Sequence, residues 1–475
     1  MAEYGKVTPA IVEELKRICG AEYVIYNDPE TLETYSKDEL PGHSYVAMPE
    51  AAVRPVSAVQ IAEIIKLANR ERIPVTPRGA GSGLSGGAVP VYGGIVLATD
   101  RMNRILELDK PNMMIVVEPG VVANDINEFL HEHKLFYAGY PMSMETCFIG
   151  GNVAENAGGG KAVKYGVTSR YVLGLEVVTP TGTIVEYGGK LVKDVTGYNM
   201  VQLMVGSEGT LGVVTKIILK LLPLPAFQAD LLCLFDSAEQ AIGVVPEIIT
   251  NTGITPTSVE FMDSASIRTS CRYLNESLPY DKCGAMLLIT VDGPDRGTVE
   301  RDYETVGLYC QEHGASEVYV ADNPLTSERI WKIRRNIPDA YNIYSNRQSG
   351  EDLVVPPASI PKVLKKLYAI AESYHVIIPC FGHAGDGNIH ARIICPPEWS
   401  DVKWRETLPE ILKDVYTDIA REGGRISGEH GIGCKRKDYM KYVVSEEYLQ
   451  VLRAIKQALD PNNILNPGKI IDISR

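Results

Sequence analysis

The chain has 475 residues, with 45% hydrophobic, 23% charged and 7% aromatic side chains; this composition excludes intrinsic disorder and sets an expectation of two or three domains. A formal charge of −13, from 47 basic against 60 acidic residues, argues against a nucleic-acid partner, which needs a concentrated positive surface. Apolar runs such as Ala285 to Ile289 are strand-sized, whereas a membrane span needs roughly 20 residues, and the N-terminus has no apolar core of a secretory signal, so a cytoplasmic address is expected.

In chain order, apolar periodicity predicts helices near Thr8 to Ile18 and Ser57 to Asn69, then β-branched strands at Gly94 to Ala98 and Met114 to Glu118. Val172 to Gly188 reads as a hairpin turning at Thr181-Gly182, and Leu211 to Pro225 as a strand ending in a proline-marked exit. Beyond that exit, strands at Asp230 to Phe235, Ser258 to Met262, Ala285 to Val291, Ser316 to Val320 and Val376 to Cys380 alternate with helices at Ser237 to Thr250, Thr298 to His313 and Ile360 to Tyr374. That alternation favours a sheet covered by helices on one face. A last helix, Glu446 to Leu459, stops at Asp460-Pro461 and is followed by the extended NNILNPGKI. The nine cysteines contain no C-x-x-C, so neither a zinc ribbon nor an iron–sulfur cluster is expected.

The densest glycine cluster, Pro77 to Gly87, follows the strand-like Ile73 to Thr76. Glycines let several backbone N–H groups turn toward one anion, so the cluster reads as a diphosphate cradle. Gly81 to Gly86 matches G-x-G-x-x-G, but a second glycine turn and a strand follow where a Rossmann unit opens a helix, and no Lys-Ser or Lys-Thr closes a Walker loop. A second cluster, Ile149 to Gly160 with Tyr165-Gly166 after it, and a third, Gly206 to Gly212, suggest a long ligand lying against backbone. Together these strings resemble the flavin domain of the vanillyl-alcohol-oxidase and p-cresol-methylhydroxylase type, from about Pro49 to Pro223. The resemblance implies FAD contacts from Arg78, Gly79, Ala80, Gly81, Ser82, Gly83, Pro141, Thr146, Gly150, Gly151, Ala154, Asn156, Gly166 and Gly209. Members that tether FAD covalently commonly carry a histidine in the first loop; Gly81-Ser82-Gly83 stands here, which implies dissociable FAD.

The second half holds FGHAGDGNIHARI, with His383 and His390, and RISGEHGIGCKRK, with Glu429 and His430; three of the eight histidines fall in these two strings. Two imidazoles and a carboxylate leave metal positions open for a substrate, an arrangement suited to Fe(II), Zn(II) or Mn(II). The intervening Gly-Asp-Gly-Asn predicts a loop feeding a strand rather than two helical turns, with Asp386 a turn residue ranked below Glu429. Both strings resemble the C-terminal domain of the FAD-linked 2-hydroxy acid dehydrogenases, which include D-lactate and D-2-hydroxyglutarate dehydrogenases and the flavin subunit of glycolate oxidase. By that resemblance His383, His390 and Glu429 are metal ligands, His430 is the catalytic base, and the tail brings Asn466 near the flavin. The implied fold is α+β: an FAD-binding domain of the p-cresol-methylhydroxylase type over 1–222, a substrate or cap domain over 223–435 with an antiparallel sheet covered by helices, and a segment, 436–475, returning to the FAD domain.

A 2-hydroxy acid gives up its Cα hydride to flavin N5 once its hydroxyl proton is removed. A metal chelated by carboxylate and hydroxyl lowers the hydroxyl pKa, and an imidazole of ordinary pKa, about 6.5, then takes the proton. The substrate carboxylate also calls for a fixed cation; Trp331-Lys332-Ile333-Arg334-Arg335 offers one, and the family's arginine after a similar tryptophan points to Arg334. Gly350 and Arg392 stand where hydroxyglutarate-oxidising relatives carry lysine and asparagine, so D-lactate or glycolate is preferred over a diacid. With no second redox centre in the chain, the reduced flavin passes its electrons outward, to electron-transfer flavoprotein by preference. A metallohydrolase and a non-catalytic FAD-binding subunit are the rival classes.

Overall fold

The computed structural model describes residues 4–41, 45–276, 283–321 and 323–473. Their contacts form two compact units, one of 1–158, 167–224 and 429–475 and one of 159–166 and 225–428. The boundaries anticipated at 222 and 435 thus stand beside divisions at 224 and 428, and the second unit also takes the short segment 159–166. Among the described residues no helix is long and apolar enough to cross a membrane.

The first unit opens with helix Pro9–Cys19, whose cap Thr8 accepts from the Ile11 amide and whose first residue is proline. Helix Ala58–Glu71, capped by Ser57, buries Ile61, Ile64, Ile65 and Leu67 at helical spacing. Both helices share a core with a four-stranded sheet in the order Val24–Tyr26, Ala51–Val53, Ile95–Ala98, Val75–Arg78. The last three strands are parallel, so the first glycine cluster leaves from the carboxyl end of a parallel strand, the usual place for a ligand in such sheets. A second, antiparallel sheet runs Ile105–Asp109, Met114–Val117, Val213–Lys220, Val172–Val178, Ile184–Gly188. The predicted hairpin is its last pair, with Val178 opposite Ile184.

The C-terminal tail is tied into this unit. The Val75 amide donates to the Ile464 carbonyl and the Asn466 amide to the Val75 carbonyl, which lays the tail beside the strand that feeds the first cluster. The buried Lys456 ammonium donates to Asp460 and to the Thr210 and Leu465 carbonyls, and Asp460 also accepts from the Leu465 amide. Lys456→Met leaves Asp460 buried without its cation, a change expected to cost about 3–5 kcal/mol, to be read from urea unfolding together with weakened FAD retention.

The second unit is built on a seven-stranded, wholly antiparallel sheet in the order Ala315–Ala321, Phe227–Phe235, Ala285–Gly293, Ser258–Asp263, Cys380–His383, Asn388–Ile394, Gln348–Val354. Helices pack on both of its faces, not on one. Leu232, Leu234, Met262, Met286 and Phe381 cluster with Ile267, Ile330, Ile333 and Ile337 on one side. On the other, Gly307 of helix Arg296–Glu312 lies against Leu231. The reason is legible in retrospect: Ala285–Gly293 is buried at every position, the unbroken run of a strand covered twice rather than the alternation of one covered once. The strand expected at Val376 to Cys380 begins instead at Cys380. Pro379 has no amide to donate to a ladder, and Ile377 makes only an isolated bridge to Ile394.

Candidate active site

The second unit places its chemistry on one sheet face. Across the strands Glu260 is opposite His383, Phe381 opposite His390, and His390 opposite Asp352. Side chains alternate along a strand, so Glu260, Phe381, His383, His390, Arg392, Gly350 and Asp352 share a face. His383 ends one strand and His390 lies in the next, joined by a 3-10 turn over Ala384–Asp386. The loop-and-strand reading of this string therefore agrees with the structure, and Asp386 is a turn residue.

His383 Nδ1 lies 2.6 Å from Glu260 Oε1. Arg334, 3% exposed, donates from Nε to Glu260 Oε2 at 2.8 Å, and its guanidinium stacks over Phe381, 4.9 Å from the ring centre. Burial alone would raise the Glu260 carboxyl, but the adjacent His383 and Arg334 outweigh it and hold the group below the usual carboxylate range. An ionised Glu260 accepts the Nδ1 proton of His383 and thereby fixes the tautomer that presents Nε2 as a ligand atom. The His390 ring meets that of His383 edge-on at 5.2 Å, and its Nδ1 is 3.7 Å from Asp352. Asp352 accepts from Asn388 Nδ2, Ser427 Oγ and the Gly428 amide at 2.7, 2.7 and 2.9 Å, anchoring the two residues that precede Glu429.

The first unit holds the first and third glycine strings and the second as far as Gly158. Gly151 lies against Gly79, Gly209 against Pro77, and Asn466 donates to the carbonyls of Gly87 and Glu208 at 3.0 and 2.7 Å. Gly81 has φ +78°, and a Cβ there would meet Arg78 Nη2 at 2.1 Å; the Arg78 guanidinium in turn donates to the carbonyls of Lys37 and Thr34. Glu429 lies against Gly158 of the second string, and His430, half-buried, has Nε2 3.8 Å from Glu429 Oε1. The chain after His430 is pinned by buried Glu208, whose oxygens accept from the Ile432 and Gly433 amides at 2.6 and 2.7 Å. Next to it Glu155 is pushed well above the usual carboxyl range by burial and by the charges of Glu208 and Asp38.

Comparison with known proteins divides the chain near residue 224 but assigns its C-terminal segment differently. The family described as "FAD linked oxidases, C-terminal domain" matches residues 224–470, and the one described as "FAD binding domain" matches 49–188. The chain belongs to the FAD-linked oxidase family. Among curated proteins it is similar to glycolate oxidase subunit GlcD of Bacillus subtilis (strain 168), 38% identical over 464 residues covering 98% of this chain and 97% of that one. It is also similar to D-lactate dehydrogenase of Anaerostipes hadrus, 35% identical and covering 98% of each, and to D-2-hydroxyglutarate dehydrogenase of Stutzerimonas stutzeri (strain A1501), 30% identical and covering 97% and 99%. The fold resembles that of p-cresol methylhydroxylase solved with substrate bound, at TM-score 0.79 and 18% identity over 98% of this chain and 97% of that one. The α+β fold of the p-cresol-methylhydroxylase type is thereby established.

The residues of this FAD-linked oxidase fit its flavin. Among the described residues, the amides of Gly79, Ala80, Gly81, Ser82, Gly83 and Leu84 bond to no protein acceptor, as an anion cradle requires. Asn466, 2% exposed, has a buried Oδ1 without a protein partner, and the space beside Gly151 is open. Of the residues expected to line FAD, all but Gly166 belong to the first unit; Gly166 closes the segment assigned to the second. Pro141 is half-buried and Thr146 exposed, and the Thr146 amide and hydroxyl both turn back to the Ser143 carbonyl. His383, His390 and Arg334 fall in the second unit, Glu429 and His430 in the first. Arg334, expected to face a substrate carboxylate, has its Nε edge on Glu260. Glu260 itself was missed. Its signal was a carboxylate inside the apolar strand Ser258 to Met262, where an acid persists only if it is paired.

Proposed function

We propose that this FAD-dependent oxidoreductase oxidises a small 2-hydroxy acid, D-lactate by preference, to the 2-oxo acid. His383 and His390, with Glu429 as third donor, hold a divalent cation of the Fe, Zn or Mn class, and FAD is bound without a covalent link. Electrons leave to an external acceptor such as electron-transfer flavoprotein. The observation that carries the reading is the Glu260-oriented His383 beside His390 on one sheet face, in a chain whose relatives are named for glycolate, D-lactate and D-2-hydroxyglutarate. When bound, FAD supplies the acceptor for the Cα hydride and the cation lowers the pKa of the substrate hydroxyl.

The chain's own residues supply the rest. Glu260 orients His383, Asp352 and Asn388 fix the hairpin that carries His390, and His430 accepts the hydroxyl proton. Arg334 is a positioning residue that neutralises Glu260. Membership in the FAD-linked oxidase family takes support from the metallohydrolase alternative. Anaerobic addition of D-lactate is expected to bleach the visible flavin band, a chelator to stop the bleaching, and added Mn(II), Fe(II) or Zn(II) to restore it. Bleaching untouched by exhaustive chelation removes the metal from the proposal; no bleaching with lactate, glycolate, malate or 2-hydroxyglutarate removes the substrate class.

A further inference from the structure

Two arginines lie on the sheet face that carries His383 and His390. Arg334 is matched by a carboxylate, as described above. Arg392 is not. It sits two residues after His390 in strand Asn388–Ile394, so both side chains leave the same side of the sheet, with Cα atoms about 7 Å apart. Its side chain lies across Gly350, its cross-strand neighbour: a Cβ on Gly350 would meet Arg392 Nη1 at 2.8 Å and Cζ at 3.2 Å. The residue is 8% exposed. Among the described residues no acceptor is hydrogen-bonded to this guanidinium; Tyr341, Glu351 and Asp339 act on its charge only through space.

The neighbouring carboxylates are engaged elsewhere. Glu351 accepts from Ser349 Oγ and the Tyr416 hydroxyl, and Asp352 from Asn388, Ser427 and Gly428. A guanidinium held almost out of water with no hydrogen-bonded acceptor is destabilising unless an anion meets it. Its planar fork matches a carboxylate in a bidentate manner. Gly350, having no Cβ, leaves the room that the guanidinium occupies over the edge strand.

We infer that Arg392 is a fixed cation that receives a carboxylate of the substrate. The inference rests on the hydroxy-acid reading above and deepens it: the site takes an acid whose carboxylate is held by a guanidinium one strand position beyond His390. It also removes the reason for disfavouring a diacid, because a buried cation occupies the place where the sequence alone suggested that one was lacking.

The experiment uses the full chain loaded with FAD and the metal that supports turnover. Wild-type oxidation of D-lactate and D-malate is measured first; failure with both, and with the other acids named above, defeats the functional reading, not this one. Given turnover, Arg392→Met is expected to raise KM by at least about 30-fold and to weaken oxalate binding equally, as seen in the perturbed flavin spectrum without turnover, with FAD and metal content retained. Arg392→Lys, which keeps the charge and loses the fork, is expected to be intermediate. Equal loss for both substrates places the carboxylate shared by lactate and malate on Arg392; loss for malate alone places the second carboxylate there. Should Arg392→Met fail to fold or to hold FAD, Gly350→Ala, which displaces the guanidinium without removing it, is expected to raise KM about tenfold. Unchanged KM and oxalate affinity in a folded Arg392→Met, or in Gly350→Ala where the first variant fails, overturns the assignment.

Discussion

His430→Ala is expected to retain FAD and the cation and to lose roughly 100- to 10,000-fold in kcat, the range set by removing a positioned general base. On the proposed reading the proton to be moved is that of the substrate hydroxyl, and only the deprotonated imidazole can take it. The acidic limb of the wild-type pH–rate profile should therefore flatten in the variant, while substrate affinity, held by other groups, changes little. The position of His430 is set by backbone rather than by its own side chain: Glu208 holds the Ile432 and Gly433 amides, and Arg436, fully buried, donates to the Gly431 carbonyl at 3.1 Å. Substituting the imidazole leaves those bonds in place, which is why cofactor content should survive. Stopped-flow reduction of the flavin by D-lactate isolates the chemical step. A His430→Ala reduction rate within threefold of wild type would remove His430 as the base.

What could be read from the chain was whatever depends on neighbours in sequence. The helix Glu446–Leu459 appears as expected because Ser445 caps it and Asp460-Pro461 stops it. The hairpin from Val172 to Gly188 appears because its turn residues and its alternation agree. The glycine strings were legible as a candidate anion cradle because three runs of small residues recur in one half of the chain. What stayed hidden depends on register. Glu260 is 123 residues from His383 and 74 from Arg334, and nothing local to any of the three says that an intervening sheet order will place them side by side. The same ignorance hid the pairing of Arg334: nothing in a basic helix end shows that its arginine has a buried acid beside it. Arg392 stands out in the sequence only as a departure from relatives, and its packing against Gly350 depends on the register of two strands.

Glu260→Gln should expose two roles held by one carboxylate. On the proposed reading, Glu260, as the acceptor of the His383 Nδ1 proton, strengthens the imidazole as a ligand, and loss of such a carboxylate typically weakens metal binding by about 10- to 100-fold. As the counter-ion of Arg334 it sits at a buried pair, with neither partner appreciably exposed, and removing one charge from such a pair costs about 3–5 kcal/mol. The single variant is therefore expected to lose cation affinity and stability together, which alone cannot separate the effects. Adding Arg334→Met removes the orphaned guanidinium and offers Phe381 an apolar neighbour, so most of the lost stability should return in urea unfolding. Cation affinity should stay low, because the acceptor for His383 is still neutral. If instead the double variant recovers both, Glu260 acts on the metal site only by holding the sheet together, and the orienting role assigned to it is wrong.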